Sequence, residues 1–468
     1  MLTDFFLNSI DQFGKNVVYF DEDNKQVSYE TLIEEADFFV QDLHSRTVVL
    51  CQASNKSEFL MAYVGFMRSG LVPLLLPSQL NPTTLDNLIS VFSPRFLFLE
   101  NENLYSSSNY RWKKNLGRYL LFENSKAFVK LNSDLALLLT TSGSTGNSKL
   151  VKLSYQNIQA NCEAIVEYLH LDNSSRAITS LPFNYSYGLS IINTHLFVGG
   201  SIILNENSIA EPKFWEKFQD LNATHLGGVP FSYEMFKRFH KKIFSNHSLK
   251  VLTQAGGKLP HELVSFFANE CKSRFIDFFV MYGQTEATAR MSYMNCEDAL
   301  LHPKSIGKAI PNGRFSLLDK SGQLIKDANC EGELVFEGPN VFMGYASMQD
   351  DLAKDDEVNG KLFTGDLATR DEMGNYYIVG RSNRIAKIYG VRINLQELDD
   401  FLGAKGITSA SISDDFKVLV YVEDQSNLRS IQKDVIDFLQ LRDSLIEVKN
   451  IDSLPRTLSG KLNYGALQ

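Results

Sequence analysis

The stretch from Thr141 to Lys149 combines residue types that bind a polyphosphate. It reads Thr-Ser-Gly-Ser-Thr-Gly-Asn-Ser-Lys and follows an apolar run, Leu135 to Leu139, that predicts a buried strand. Glycine lets the backbone turn sharply and present its N–H groups, the hydroxyls add donors, and the lysine adds a positive charge. A Walker A loop needs Lys-Ser/Thr directly after its last glycine, and Asn147 stands there instead. The pattern therefore predicts a phosphate-binding loop of another kind, with a flexible surface turn as the alternative.

A second cluster, Tyr-Gly-Gln-Thr-Glu from Tyr282 to Glu286, follows an aromatic and apolar run at 275–280 that predicts another strand. A tyrosine ring beside a glycine turn can stack on a purine, and Thr285 can hydrogen-bond a phosphate. The carboxylate of Glu286 is the hard oxygen ligand that Mg²⁺ prefers. An ordinary turn at the end of a strand is the alternative interpretation.

Charged residues in the last third of the chain suit the rest of a nucleotide. Asp366 follows Thr-Gly in a sequence that predicts a tight turn, where its carboxylate could accept hydrogen bonds from ribose hydroxyls. Lys461 stands near the C-terminus in a loop shaped by Pro455 and Gly460. Cations cluster at Arg381, Arg384, Lys387 and Arg392. A β-turn aspartate, a solubilising lysine and a solvated linker are the respective alternatives.

The elements that must position these residues alternate between strand and helix. Apolar runs predict strands at 47–51, 71–76, 96–99, 177–181, 201–204 and 251–255, and helical spacing predicts helices at 28–44, 83–91, 211–221 and 260–271. Asn55 and Glu58 have the spacing of a capping box that would open a further helix ending near Ser69. A polar segment ending at Asn157 follows the glycine-rich loop, and a helix is predicted from Ile158. This alternation is typical of α/β folds with a parallel sheet wrapped by helices.

The pattern changes at about residue 312, where short β-like runs are separated by Gly, Asp and Asn turns. This change predicts a small β-rich subdomain at 312–381. A compact α+β segment follows, with helices predicted at 397–402 and 428–439 and a strand at 418–422. We therefore predict a large N-terminal part, residues 1–381, and a small C-terminal domain, residues 382–468.

The composition narrows the functional classes. The 468 residues include 46 Lys+Arg and 55 Asp+Glu, a formal net charge of −9, which disfavours bulk affinity for nucleic acid or an anionic membrane. The five cysteines are scattered without Cys-x-x-Cys spacing, which indicates neither a zinc site nor a disulfide framework. The N-terminus lacks the basic region of a signal peptide, and the apolar stretches are too short to span a bilayer. We expect a cytoplasmic protein with no membrane span and no nucleic-acid partner.

The order of the motifs is more specific than any one of them. After the loop ending in Lys149 come Tyr-Gly-x-Thr-Glu, Gly-Glu-Leu with Gly-Tyr, Thr-Gly-Asp, Gly-Arg with Lys-Ile-x-Gly-x-Arg, and Pro-Arg-Thr-x-Ser-Gly-Lys. In that order the chain resembles the adenylate-forming superfamily, which contains acyl-CoA synthetases, peptide-synthetase adenylation domains and luciferases. The resemblance covers nearly the whole chain. It implies a large N-terminal part and a small mobile C-terminal domain, with the active site between them.

The resemblance also implies roles for individual residues. The nucleotide would be held at its β- and γ-phosphates by Thr141, Ser142, Gly143, Ser144, Thr145, Gly146 and Lys149, around the adenine by Gly256, Gly257, Tyr282 and Gly283, and at the ribose and phosphate by Asp366, Arg381, Lys387 and Arg392. The catalytic residues would be Lys461, Glu286 and Thr285, with Glu286 also binding Mg²⁺. The acyl pocket would contain Asn184, Tyr185, Tyr187 and Gly188. Gly390 would line the thiol channel, and Asn383 would be the hinge.

The function implied by the resemblance is the ATP-dependent activation of a small carboxylic acid to acyl-AMP with release of pyrophosphate. Transfer to a thiol, of CoA or of a carrier protein's phosphopantetheine, would follow. The residues suit this chemistry, because a carboxylate attacking ATP brings one anion against another. Catalysis then depends on positioning and on neutralising charge, which Mg²⁺, a donor-rich loop and one lysine supply.

Departures from the family pattern leave alternatives open. The hinge, usually Asp or Lys, is Asn383, and Tyr389 replaces the usual basic residue before Gly390. Amino-acid activators often carry an Asp where this chain has Asn184, which disfavours an α-amino acid. The alternatives are an enzyme that stops at the adenylate, uses an amino acid or passes the acyl group to an amine, a non-catalytic nucleotide-binding relative, and a phosphotransferase.

Overall fold

The computed structural model describes residues 5–43, 46–79, 82–100, 109–140, 149–381, 384–388, 391–413, 416–423, 427–456 and 462–467. The chain divides into two compact units. The first contains Met1–Arg314 and Glu337–Leu362, and the second contains Phe315–Phe336 and Phe363–Gln468. The sequence-based boundary at 382 separates the β-rich subdomain from the C-terminal segment, whereas these units group the two. Residues 382–383 lie outside the described residues, and that boundary stays a prediction.

One sheet of the first unit contains nine strands within the described residues. In spatial order they are β16 (Lys308–Ala309), β15 (Ser292–Met294), β14 (Asp277–Tyr282), β13 (Val251–Gln254), β12 (His225–Gly228), β10 (Arg176–Ile178), β11 (Ser201–Ile203), β1 (Val17–Phe20) and β2 (Gln26–Ser28). The six central strands pair in parallel, and antiparallel strands close both edges. The parallel strands are buried, which explains their apolar sequences.

The second sheet of this unit contains eight strands within the described residues. In spatial order they are β19 (Gly344–Ala346), β9 (Leu150–Ser154), β8 (Leu135–Thr140), β4 (Val72–Pro77), β3 (Val48–Ala53), β5 (Phe96–Leu99), β7 (Tyr119–Glu123) and β6 (Arg111–Leu116). The strands β8, β4, β3 and β5 are parallel. The remaining strands pair antiparallel at the two edges.

The helices of the first unit are α1 (Tyr29–Val40), α2 (Ser57–Arg68), α3 (Pro82–Phe92), α4 (Tyr155–Leu169), α5 (Ser186–Val198), α6 (Pro212–Asp220), α7 (Pro230–Arg238), α8 (His240–Phe244), α9 (His261–Lys272) and α10 (Cys296–Leu301). Their starts follow local rules: Ser28 caps α1, and Ser154 with Asn157 forms a capping box for α4. Helix α5 is buried along most of its length and ends at Gly199, whose φ is 71°. A buried helix of this kind can hold side chains of a site rigidly.

The second unit contains a four-stranded sheet in the order β17 (Arg314–Leu318), β18 (Gly332–Glu337), β20 (Lys361–Arg370) and β21 (Tyr376–Arg381). A hairpin follows, formed by β22 (Ile385–Ile388) and β23 (Val391–Asn394). A sheet of β24 (Ser409–Ser413), β25 (Val418–Val422) and β26 (Ile446–Asn450) packs with α11 (Leu395–Ala404) and α12 (Leu428–Leu439) around an apolar core. The predicted α/β class, with parallel layers and a separate β-rich part, is confirmed.

Three local predictions are wrong. The capping box of Asn55 and Glu58 does not form, because Lys56 is the N-cap of α2 without a side-chain cap and the Asn55 amide donates to the Leu181 carbonyl instead. The polar segment before α4 is the buried strand β9. Asp366 lies within the long strand β20 rather than in a tight turn. Among the helices of the described residues, none is long and apolar enough to traverse a lipid bilayer.

Candidate active site

The Tyr-Gly-Gln-Thr-Glu segment leaves the end of β14 as a sharp turn. Tyr282 is the last residue of the strand and is half-buried. A Cβ on Gly283 would stand 1.8 Å from the carbonyl oxygen of Ala289, so only glycine fits there. The following residues, Thr285–Ala287, form a single 3₁₀ turn. The Thr285 and Glu286 side chains therefore have a fixed backbone.

A buried asparagine that the motif analysis did not single out holds this turn. The Asn340 amide donates to the carbonyls of Ala287 (2.9 Å) and Arg290 (3.1 Å), and the Thr288 hydroxyl donates to the Asn340 carbonyl (2.8 Å). Thr288 has a φ of 65°, an uncommon conformation for a β-branched residue. Such strain costs on the order of 1–3 kcal/mol and persists where the surroundings fix it, often at functional sites.

A tyrosine connects the carboxylate of this turn to the lysine of the glycine-rich loop. The Tyr345 hydroxyl donates to Oε1 of Glu286 at 2.8 Å, and Nζ of Lys149 lies 5.7 Å from the centre of the same ring. Burial, and next the nearby Glu286 carboxylate, raise the pKa of Tyr345, so its hydroxyl remains a donor at neutral pH. The arrangement places an anion and a cation on opposite parts of one aromatic side chain.

The donor set at Glu286 fits magnesium. Mg²⁺ keeps several waters and is bound through one or two carboxylates together with substrate phosphates. Glu286 is a half-buried carboxylate that could supply such a ligand. Within the residues that the structure describes, no group of three or more His, Cys, Asp or Glu side chains could form an all-protein metal cage. A single carboxylate, that of Glu286, is therefore the kind of metal ligand the turn can offer.

The glycine-rich loop connects two antiparallel strands. Thr140 at the end of β8 is the register partner of Leu150 at the start of β9. Residues 141–148 lie outside the described residues. The strand after the loop contains Lys152, whose buried ammonium lies 3.3 Å from Oε2 of Glu357 and donates to the Asp351 carbonyl. The sequence analysis did not predict this burial, although the signal, a lysine among apolar residues, stands in the chain.

The predicted acyl-pocket residues lie at the start of α5, beside the 3₁₀ turn. The hydroxyls of Ser186 and Thr285 are 3.3 Å apart. Gly256, with a φ of 84°, faces Tyr185 so closely that a Cβ would stand 2.3 Å from the tyrosine hydroxyl. A Cβ on Gly257 would stand 3.0 Å from the ring of Pro230. The structure therefore brings the predicted acyl and adenine segments together.

Tyr187 and Gly188, the next two predicted acyl-pocket residues, are buried. The Tyr187 hydroxyl lies 2.8 Å from that of Thr253, and the guanidinium of Arg290 stacks over its ring at 4.9 Å. A Cβ on Gly188 would stand 2.4 Å from the Pro182 carbonyl oxygen, so the position requires glycine. Asn184, which precedes the helix, is half-buried. The buried Arg290 was not predicted, because nothing in a single sequence shows that an arginine after a turn faces inward.

In the second unit, Asp366 and Arg381 are paired. They are register partners on β20 and β21, and Nε of Arg381 donates to Oδ1 of Asp366 at 2.8 Å. The aspartate is buried, whereas the arginine side chain is 55% exposed. Gly365, immediately before the aspartate, has a φ of 71°, a conformation that glycine adopts without strain.

The remaining predicted site residues are not described in full. Thr141, Ser142, Gly143, Ser144, Thr145 and Gly146 lie outside the described residues, as do Asn383, Gly390 and Lys461. Lys387 and Arg392 occupy paired positions on β22 and β23. The roles assigned to all of these residues stay predictions.

Comparison with known proteins assigns this fold and these motifs to one class. A family model described as AMP-binding enzyme matches residues 6–346. Because the match covers most of the chain, the chain belongs to the AMP-binding enzyme family. The predicted membership of the adenylate-forming superfamily is confirmed.

Individual relatives are more distant. The chain is 28% identical over 280 residues to a medium-chain fatty-acid–CoA ligase of Escherichia coli strain K12, covering 59% of this chain and 48% of the relative. It is 22% identical over 472 residues to a luciferin 4-monooxygenase of Photuris pensylvanica, covering 90% and 84%. The fold matches O-succinylbenzoate coenzyme A synthetase from Bacillus subtilis, solved with ATP and magnesium ion, with a TM-score of 0.77, 18% identity and 99% of each chain covered. The match to the fatty-acid–CoA ligase thus spans about half of that relative's length.

Proposed function

We propose that this protein is an ATP-dependent ligase that activates a carboxylic acid as acyl-AMP, releases pyrophosphate and transfers the acyl group to a thiol. The observation that carries the proposal is the junction of three predicted segments in the first unit. Glu286, Tyr345 and Lys149 connect the 3₁₀ turn to the glycine-rich loop, and Ser186 connects it to the acyl segment.

Different residues bind different parts of ATP. Lys149 and the loop that it ends bind the β- and γ-phosphates, because a cation and backbone donors suit an anion. Tyr282 and Gly283, with Gly256 and Gly257, border the adenine. A Mg²⁺ ion held by Glu286 would neutralise phosphate charge, which is the chemistry that the metal supplies.

Asp366 accepts hydrogen bonds from the two ribose hydroxyls. Its pairing with Arg381 supports this role, because the contact orients the carboxylate and each carboxylate oxygen can accept more than one hydrogen bond. The buried position of the aspartate fixes its direction. Lys387 and Arg392 contribute further positive charge toward phosphate and ribose.

The first step joins one oxygen of the substrate carboxylate to the α-phosphorus of ATP. The bond from that phosphorus to the bridging oxygen of pyrophosphate breaks, and pyrophosphate leaves with the electron pair. Thr285 and Lys461 stabilise the negative charge that develops on the α-phosphate, a contribution typically worth about 10²–10³ in rate for one donor. The product is a mixed anhydride that water would destroy, so closure over the site is expected to protect it.

The second step transfers the acyl group. A thiolate of CoA, or of a carrier protein's phosphopantetheine, attacks the acyl carbon, and AMP leaves with the anhydride oxygen. Rotation about Asn383 would bring Gly390 to the site, where a residue without a side chain allows a pantetheine arm to pass close to the backbone.

We place the enzyme in the cytoplasm.

The alternatives concern the acceptor and the acid. An enzyme that stops at the adenylate, or passes the acyl group to an amine, shares the same first step. The half-buried Asn184 supplies no charge for an α-ammonium group, which favours a plain carboxylic acid over an amino acid.

The test is acid-dependent exchange of labelled pyrophosphate into ATP across a broad set of carboxylic acids. We expect exchange with some acids and its loss in Lys461→Ala, while thioester formation from supplied acyl-AMP is retained. A bulky residue at Gly390 is expected to leave pyrophosphate exchange intact and to impair thioester formation from supplied acyl-AMP. Absence of pyrophosphate exchange with every acid would favour a non-catalytic nucleotide-binding protein.

A further inference from the structure

A small cavity of about 20 Å³ lies beside Thr253, whose hydroxyl is 2.8 Å from that of the predicted acyl-pocket residue Tyr187. Its lining comes from α4, α5, β10, β12 and β13 together with Leu171 and Arg290, and it includes Thr194, His195, His225 and Gly227. A volume of roughly 10–15 Å³ on this scale is enough for one water molecule. The cavity therefore has room for one group of about that size.

Three buried polar atoms around this cavity have no hydrogen-bond partner among the described residues. They are Nε2 of His195, Nε2 of His225 and Nε of Arg290. The two imidazole rings are 5.2 Å apart, centre to centre. A buried polar atom without a partner is destabilising, because it has lost its hydrogen bonds to water. Three such atoms at one cavity indicate that a polar group fills it.

The protonation of His195 defines what the group must donate. Its Nδ1 lies 2.8 Å from the Ile191 carbonyl oxygen, which can only accept, so Nδ1 carries the hydrogen. Burial lowers the pKa of His195 to about 4, so the ring is neutral at pH 7 and Nε2 presents a lone pair. The occupant must therefore donate a hydrogen bond to this nitrogen.

Arg290 defines what the same group must accept. Its Nη1 atom lies 3.2 Å from the Tyr168 hydroxyl and 3.1 Å from Sδ of Met281, neither of which carries a formal charge at neutral pH. The Nε–H group can only donate. A ligand ammonium is excluded by the guanidinium charge, and a carboxylate would place its oxygens against the lone pair of His195. A hydroxyl group both accepts and donates, and it is the size of a water molecule.

The cavity adjoins the acyl segment through Tyr187. The Tyr187 hydroxyl bonds that of Thr253 at 2.8 Å, and both Thr253 and Gly227 line the cavity. A Cβ on Gly227 would stand 3.1 Å from the Tyr187 hydroxyl. The cavity is thus one hydrogen bond, between Thr253 and Tyr187, away from the start of α5.

We infer that the acid substrate carries a hydroxyl group at the end far from its carboxylate, and that His195, His225 and Arg290 bind this hydroxyl in the cavity that they line. The inference rests on the proposed function, since it names the substrate class of the same site. The proposal requires the hydrogen-bonded side chains of Tyr187 and Thr253 to move apart so that the far end of the acid can enter. Without substrate, one water molecule satisfies the same atoms.

The experiment compares matched pairs of acids, aliphatic and aromatic, with and without the far hydroxyl. Acid-dependent pyrophosphate exchange gives kcat/KM for each member. We expect the wild-type protein to prefer the hydroxy acid by at least about tenfold, since a site built to bond a hydroxyl rejects the analogue that lacks it by up to roughly 10⁴–10⁵. In His195→Leu and Arg290→Met the preference should fall to within about threefold. The exposed His261 provides the control, because His261→Gln should keep the wild-type ratio.

The outcomes separate the two proposals. Exchange with no acid at all would overturn the proposed function. Exchange without a preference for the hydroxy acid in the wild-type protein would overturn only this inference and leave a buried water as the occupant. An equal preference in the wild-type, His195→Leu and Arg290→Met proteins would also overturn it. If the cavity variants fail to fold, the wild-type ratio decides by itself.

Discussion

The buried His195 predicts a specific loss of stability in acid. Burial lowers its folded-state pKa from 6.5 to about 4, with the Arg290 charge as a smaller cause in the same direction. In the unfolded chain the ring binds a proton below about pH 6.5, whereas in the folded protein it does so only below about pH 4. Between these values the unfolded state holds one more proton, so the free energy of unfolding falls as the pH falls.

The size of the effect follows from linkage. One proton per molecule corresponds to about 1.4 kcal/mol for each pH unit. Lowering the pH from 7.5 to 5.0 therefore removes about 2 kcal/mol through His195 alone, and the loss levels off below about pH 4. His225, whose pKa burial lowers well below its ordinary value, acts in the same direction. The total loss in the wild-type protein should thus exceed the share of His195.

Urea unfolding at the two pH values measures this effect, with the fluorescence of the buried Trp215 reporting on the first unit. We expect His195→Gln to lose about 2 kcal/mol less than the wild-type protein between pH 7.5 and 5.0, because glutamine does not titrate. The exposed His261 gives the matched control, and His261→Gln should follow the wild type. Coincident pH dependences of His195→Gln and the wild type would refute the reasoning.

Three further predictions follow from individual contacts. Gly283→Ala should abolish pyrophosphate exchange, because the new Cβ would stand 1.8 Å from the Ala289 carbonyl oxygen; a folded variant, checked by circular dichroism, with wild-type exchange would contradict this. Asp366→Asn should raise the KM for ATP at least about tenfold by weakening charge-assisted bonds to the ribose, while 2′,3′-dideoxy-ATP should be used equally badly by both proteins. Arg384→Met should lower the free energy of unfolding by about 3–5 kcal/mol because it leaves the carboxylate of Asp399 buried and unpaired. Chemical denaturation should show that adding Asp399→Leu recovers part of this loss, and an additive double variant would argue against the pair.

The periodicity of the chain was sufficient to predict the α/β class and most central elements. The helix at 428–439 was predicted with the bounds that the structure has, and the strand at 418–422 likewise. Both are short, regular segments whose apolar residues face one core, so local pattern and tertiary packing agree. The hairpin of β6 and β7 was missed because its first strand, Arg111–Leu116, is largely polar and exposed.

The candidate site was predicted in its motifs but not in its supporting residues. Tyr282, Glu286 and Asp366 stand in ordered motifs that a resemblance can identify. Asn340 fixes the turn, and Arg290 is buried, through contacts between segments that are distant in sequence. Asn340 and Arg290, which are hydrogen-bonded, are 50 residues apart. Spacing along one chain carries no information about such contacts.

Arg384, which directly follows the proposed hinge residue Asn383, is held by contacts on several elements of the C-terminal segment. This arginine follows Asn383, and its buried side chain pairs with Asp399 on α11 and donates to the Ser411 carbonyl on β24. Its guanidinium also stacks on Tyr464 at 3.9 Å.

Tyr464 begins the 3₁₀ turn Tyr464–Leu467, which comes shortly after Lys461 in sequence. The segment that follows the proposed hinge and the segment that follows the proposed catalytic lysine are therefore fixed to each other. If the chain rotates at Asn383, the C-terminal segment must move with Arg384 rather than independently of it. The variant Tyr464→Ala removes the contact between Arg384 and Tyr464. It should therefore impair the adenylation step, which needs Lys461, more than thioester formation from supplied acyl-AMP. Equal loss of both half-reactions would show that the contact serves stability alone.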